Sequence, residues 1–148
     1  MAETSSILLV EDNPDDAELT LRAFARAQIA NPVVHVRDGV EALDYLMGRG
    51  TYAARDVTEL PVVVLLDLKL PRLDGLGVLR AIRAEESTRY LPVVVLTSSE
   101  HDRDRLAAYH GLANSYVRKP VDYDQFLEAA RHLGLYWVVI NLPGHRPA

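Results

Sequence analysis

The sequence predicts an α/β fold: a doubly wound, five-stranded parallel sheet with helices on both faces. Three observations carry this. Five short apolar runs recur along the chain: "SILLV" (6–10), "PVVHV" (32–36), "PVVVLL" (61–66), "PVVVL" (92–96) and "NSYV" (114–117). The first, third and fourth are continuous rather than alternating, the pattern of strands buried on both faces. Segments of helical periodicity separate the runs, and strict β–α alternation implies parallel strands joined by crossover helices.

The first helical segment, "NPDDAELTLRAFARA" (13–27), opens with Asn13 as N-cap and Pro14 at the first helical position. Asp15 and Asp16 then complement the positive end of the helix dipole. Ala17, Leu21, Phe24 and Ala25 are expected to form its apolar stripe. "DGVEALDYLMG" (38–48) follows the same logic with Val40, Leu43, Leu46 and Met47. Residues 49–60 have weak periodicity and read as a loop with a frayed helix end. "DGLGVLRAIRAEE" (74–86) and "EHDRDRLAAYH" (100–110) are the third and fourth helices, with Asp74 and Gly75 as turn and cap of the third. The last helix begins at "DYDQFLEAARHL", where Asp122 and Gln125 have capping-box spacing. Gly39 and Gly111 read as structural.

The 148 residues suit one domain, long enough to bury about 70% of its unfolded surface. Cysteine is absent, which excludes disulfides, thiolate metal sites and a cysteine nucleophile. The net charge of −5 argues against nucleic acid as a direct partner. The N-terminus has no basic region and only a four-residue apolar run (7–10), too little for a signal peptide. No apolar run approaches the roughly 18 residues of a membrane span. A cytoplasmic protein with no membrane partner is expected.

In open parallel sheets, ligands bind outside the carboxyl ends of the strands. Glu11 and Asp12 follow the first run, Asp67 the third, Thr97 and Ser98 the fourth, and Lys119 and Pro120 the fifth. Brought to one edge, three carboxylates raise one another's pKa unless a cation intervenes. Mg²⁺ suits a few carboxylates plus water and phosphate oxygens. Lys119 adds a compact positive charge, and the two hydroxyls add donors. A carboxylate nucleophile, a metal, a cation and a hydroxyl are the parts of phosphoryl transfer. The five histidines, at 35, 101, 110, 132 and 145, show no metal spacing.

With "LLVEDNP", "LLDLKLPRLDG", "VVVLTSS" and "SYVRKP" in this order over residues 6–133, the chain resembles the receiver domains of two-component response regulators. The resemblance implies a flavodoxin-like sheet of strand order 2-1-3-4-5. It implies that Asp67 accepts a phosphoryl group from a sensor histidine kinase. It assigns Mg²⁺ to Glu11, Asp12, Asp67 and the backbone carbonyl of Lys69. Thr97 becomes the switch hydroxyl, Tyr116 the switch aromatic, and Lys119 the phosphate-contacting lysine, with Ser98 beside it. The Lys119–Pro120 bond is expected cis. Phosphorylation is expected to change the surface built from the helix at 100–110, the fifth strand and the last helix. The protein would be a signalling phosphoacceptor that catalyses only its own phosphorylation and dephosphorylation.

A second resemblance rests on "GRGTYAARDVTELP" before the third strand and "LGLYWVVINLP" after the last helix. Both look like a group of stand-alone receivers that work with bacterial phytochrome-type kinases. Three rivals fare worse. A haloacid dehalogenase phosphatase needs an acid at position 69, where Lys69 stands. A flavodoxin-type electron carrier needs a hydroxyl- and glycine-rich loop where "EDNPDD" would repel phosphate. An inert, degenerate receiver does not need the complete set of site residues.

Residues 1–134 are read as the receiver domain and 135–148 as a C-terminal extension. No DNA-binding domain is expected, so output would pass through a partner, a histidine phosphotransfer protein or dimerisation. "LYWVVI" (135–140) is apolar on all sides. Its stripe from Phe126 to Trp137 favours a prolonged helix, while Gly134 and Val138–Ile140 favour an extended arm. Fold-back onto the domain is one way to cover it; contact with a second subunit, giving a homodimer, is the preferred one.

Overall fold

The computed structural model describes residues 6–27, 29–98 and 113–132, with only the backbone of Tyr123. The helix expected at 100–110 and the extension 135–148 lie outside the described residues. Strands β1 (Ile7–Val10), β2 (Val33–Val36), β3 (Val63–Asp67), β4 (Val93–Thr97) and β5 (Ser115–Arg118) form one sheet. All neighbours pair in parallel, in the order β2-β1-β3-β4-β5. Helices α1 (Pro14–Arg26), α2 (Gly39–Met47) and α3 (Gly75–Ala84) make the described crossovers, and α4 (Tyr123–His132) follows the last strand.

Strands β1, β3 and β4 are buried along their whole length, as the middle of a two-faced sheet requires. β2 and β5 are the edge strands, and only Val36 and Val117 in them are buried. Two core clusters result. Leu8, Val10, Val64 and Leu66 pack against Leu43, Leu46, Leu79 and Ile82 from α2 and α3. Ile7, Leu9, Leu65 and Leu96 pack against Phe24 and Phe126 from α1 and α4, whose rings stand 4.6 Å apart.

Two expected helix faces need correction. On α1, Leu21 and Ala25 are exposed, while Thr20 and Ala23 are buried with Ala17 and Phe24. Thr20 tolerates burial because its hydroxyl donates to the Asp16 carbonyl at 3.0 Å, one turn earlier. On α2, Leu43 and Leu46 are buried as expected, but Ala42 and Tyr45 join them and Val40 and Met47 are only half-buried. The face is displaced because residues 49–60 fold back over α2. Tyr52 meets Tyr45 edge-on at 5.1 Å, and the Arg55 guanidinium lies 3.9 Å over the Tyr45 ring. Residues 50–52 form a 3-10 turn rather than a frayed end.

The helix starts follow their predicted caps. The Asn13 side chain accepts from the amides of Asp15 and Asp16, and Asp74 from that of Gly77. At α4, Asp122 accepts from the Gln125 amide at 2.8 Å. The reciprocal half of the capping box is not made, because Gln125 Oε1 accepts from the Arg118 amide and its Nε2 donates to Asp122 instead. The Lys119–Pro120 bond is cis. No helix among the described residues is long and apolar enough to cross a membrane.

Parallel register brings Val10, Val36, Asp67, Thr97 and Arg118 to one edge of the sheet. Gly75 presses the start of α3 onto the end of β3. A Cβ there would lie 2.4 Å from the Asp67 carbonyl oxygen and 2.6 Å from Leu68 Cα. Both contacts are backbone, so relief requires moving the strand end. Gly75→Ala is therefore expected to cost about 2–3 kcal/mol in urea denaturation. An unchanged midpoint would show that the α3 start moves freely.

Candidate functional site: an ammonium among carboxylates

The end of β3 delivers Asp67 as its last residue, buried despite its charge. Glu11 follows β1 directly and is fully buried. Its backbone is held by two neighbours: its amide donates to the Val36 carbonyl at 3.0 Å, and His35 Nε2 lies 2.7 Å from its carbonyl oxygen. Its carboxylate also accepts from the Asn13 amide at 3.2 Å. Lys119 follows β5, with its amide donating to the Thr97 carbonyl at 2.7 Å.

Lys119 Nζ donates to Glu11 Oε1 at 3.1 Å, to Asp16 Oδ2 at 2.9 Å and to Asp67 Oδ2 at 3.1 Å. An ammonium carries three N–H donors, so these bonds use all of them. Burial works against the charged lysine, but the hydrogen bond to Asp16 and the charge of Asp67 outweigh it and raise the pKa well above the usual lysine range. Glu11 moves the other way for a carboxylate. Burial first, then the hydrogen bond and charge of Asp67, raise its pKa to about 7 against the pull of Lys119.

Asp12 is exposed, and one carboxylate oxygen from each of Glu11, Asp12 and Asp67 lies within 4.8 Å of the others. Three hard oxygens at that spacing, beside one ammonium, fit a small divalent cation with further positions left for water. Lys69 is exposed and its amide donates to Asp67 Oδ1 at 3.2 Å, bending the chain over the strand end. Thr97 is buried at the end of β4, and Ser98 follows it into solvent. Tyr116 is half-buried on β5. With Ser115, Gln125, Glu128, Ala129 and His132 it lines a cavity of about 340 Å³ between β5 and α4.

Sequence reasoning thus named Glu11, Asp67 and Lys119, which meet directly, and Asp12, which joins their cluster. It missed Asp16, to which the linear pattern gives only a helix-dipole role. The surplus of acids in "EDNPDD" was the available signal. It also missed His35, and the clasp over the loop after β3. There Arg72 is the one non-glycine residue with positive φ among the described residues, at 65°. Leu73 N donates to the Pro71 carbonyl at 2.7 Å, closing a γ-turn around it, a strained conformation for a side-chain-bearing residue. Arg72 Nη2 donates to both oxygens of Asp38, at 2.9 and 3.0 Å, tying the loop to the N-cap of α2. Burial opposes ionisation of Asp38, but the Glu41 amide and Arg72 hold its pKa below the ordinary carboxylate value.

The raised pKa of Glu11 has a signed consequence. Its ordinary value is 4.5, so between that and about 7 the folded protein holds a proton that the unfolded chain has released. The resulting stabilisation is fully present below the unfolded value and is lost as pH rises through 7. In buffer stripped of divalent cations, melting temperature is expected to fall between about pH 5 and about pH 8. Glu11→Gln should flatten that fall; an equal slope in the variant would refute the assignment.

The family described as "Response regulator receiver domain" matches residues 7–131. The probable methanogenesis regulatory protein FilR2 of Methanothrix harundinacea is 42% identical over 91% of this chain and 84% of its own. The response regulator Rcp1 of Synechocystis is 32% identical over 93% of this chain and 92% of its own. Its Mn²⁺-bound structure superposes with a TM-score of 0.71, covering 97% of this chain and 99% of that one at 30% identity. The structure of the bacteriophytochrome response regulator AtBRR gives a TM-score of 0.87 at 49% identity, covering 95% of this chain and all of its own. The chain belongs to the response regulator receiver domains, signalling domains phosphorylated on an aspartate, and is a homologue of the phytochrome response regulators.

Proposed function

We propose that Asp67 is the phosphoacceptor of a two-component phosphorelay, supplied by a sensor histidine kinase of the bacteriophytochrome type. The observation that carries the reading is the Lys119 ammonium in hydrogen-bond contact with Asp67 at a buried strand end. An Asp67 oxygen attacks the phosphorus of a phosphohistidine, the P–N bond breaks, and the freed imidazole takes a proton from solvent. Lys119 and Ser98 contact the phosphoryl oxygens. Mg²⁺, held by Glu11, Asp12, Asp67 and the Lys69 carbonyl, supplies positive charge beside those oxygens. The homologous Rcp1 is known in an Mn²⁺-bound form, which supports a divalent cation for this chain.

The phosphoryl group adds charge and strong acceptor oxygens. The Thr97 hydroxyl is drawn to it, and Tyr116 turns inward into the space vacated. That motion reshapes the cavity between β5 and α4. The protein acts as a switch, with catalysis confined to its own phosphorylation and dephosphorylation. Lys69, exposed beside Asp67, shields the acyl phosphate from water or pairs with its oxygens, and so sets its lifetime. The receiver spans 1–134. The extension 135–148 is a dimerisation arm, because an all-apolar "LYWVVI" needs cover. The homodimer is cytoplasmic, and its output passes to the partner surface or to a histidine phosphotransfer protein.

Incubation with acetyl phosphate and Mg²⁺ is expected to add the mass of one phosphoryl group to the intact protein, and none to Asp67→Asn. Label on the Asn variant would assign the acceptor elsewhere. Thr97→Ala should still be labelled yet lose the phosphorylation-dependent NMR shifts around Tyr116; intact shifts would uncouple Thr97 from the switch. In the same assay Lys69→Ala should change the rate of phosphoryl loss, and an identical decay would remove its shielding role. By light scattering, the full chain is expected to run as a dimer and a chain lacking 135–148 as a monomer. A dimer in both cases would place the interface elsewhere.

A further inference from the structure

Four carboxylates, not three, surround the site, and the fourth has no place in the cation cluster. Asp16 lies outside the group of Glu11, Asp12 and Asp67 whose oxygens could share a metal ion. It nevertheless makes the shortest of the three bonds to Lys119, at 2.9 Å. Its position is well defined. Asp16 stands in the first turn of α1, where the Asn13 side chain accepts from its amide at 3.0 Å and Thr20 donates to its carbonyl. Its carboxylate is one-third exposed, at the rim of the cluster, whereas those of Glu11 and Asp67 are at the bottom.

The arrangement contains a conflict. Two of the three carboxylates suited to a divalent cation, Glu11 and Asp67, are already bonded to the Lys119 ammonium. A divalent cation and an ammonium repel each other, and in a partly buried site that repulsion is poorly screened. The cation's arrival therefore draws Glu11 and Asp67 away from Lys119. Among the partners that Lys119 has in the structure, Asp16 alone is left uncommitted.

We propose that Asp16 is a positioning residue that receives the Lys119 ammonium when a divalent cation takes Glu11 and Asp67, so that both positive charges occupy the site together. The inference rests on the cation reading proposed above. It gives Asp16 a role that helix-dipole preference does not: Asp15, its neighbour in the same turn, is exposed and serves the dipole equally well. Without Asp16, Lys119 stays on Glu11 and Asp67 and competes with the cation for them.

The test is the Mg²⁺ affinity of the unphosphorylated full chain, measured by titration calorimetry at fixed pH and ionic strength, with thermal melts to verify folding. Asp16→Asn is expected to weaken binding about tenfold. Asp15→Asn, which removes an equal charge from the same helical turn, should change it less than about twofold. In a Lys119→Met background the effect of Asp16→Asn should largely vanish, because the competing ammonium is gone. Wild-type affinity in Asp16→Asn would overturn the proposal. So would equal losses in Asp15→Asn and Asp16→Asn, since that outcome reports charge loss alone; this comparison stands even if Lys119→Met does not fold. An undiminished Asp16→Asn effect without Lys119 would overturn it as well. Absence of Mg²⁺ binding by the wild-type protein would overturn the cation reading itself, and this inference with it.

Discussion

A single ammonium holds the functional edge of this molecule together. Lys119 neutralises part of a cluster of carboxylates that parallel strands have forced into one place, and two of them are buried. Buried ionised carboxylates without a counter-charge are costly, and removing one partner of such a cluster leaves the others uncompensated. Burial first, then the hydrogen bond and charge of Asp67, raise the pKa of Glu11 against the pull of Lys119. The site in this form is short of positive charge. That shortage is what the proposed cation would relieve.

The sheet is what makes the shortage possible. Because all five strands run in parallel and in register, their carboxyl ends fall on the same side, and Glu11, Asp67 and Lys119, at the ends of β1, β3 and β5, meet there. Close backbone approaches then hold the turns. Gly75 lets α3 sit against the Asp67 carbonyl, and Gly39 lets α2 sit against the backbone of Leu73. The Arg72–Asp38 pair offsets strain in the γ-turn between them. The loop that carries Lys69 is thus braced at both ends, with Lys69 itself exposed between the braces. The homologues of known structure cover nearly the whole chain, consistent with a scaffold that keeps its geometry.

The local features of the fold were legible in sequence. Continuous apolar runs marked the strands buried on both faces, and Asn13, Asp74 and Asp122 marked helix starts that the structure caps as expected. The errors fall where tertiary packing overrides helical periodicity. Leu21 fits the apolar pattern of α1 better than Thr20, yet Thr20 is the buried one, a position its hydroxyl tolerates because it is satisfied within the helix. Tyr45 is drawn inward because residues 49–60 return over α2 and supply Tyr52 and Arg55 as partners.

What the sequence determined by itself was the set of strands, their order along the chain and the residue types that end them. Those depend on composition and on neighbours a few positions away, which a linear reading captures. Only the tertiary structure decided which of those polar groups touch. Lys119 reaches Glu11 across 108 positions and Asp16 across 103. Nothing within a turn of Asp16 distinguishes it from Asp15. The difference arises because the first turn of α1 directs one of two adjacent carboxylates to Lys119, and that direction exists only once the sheet has brought the start of α1 and the end of β5 to the same edge.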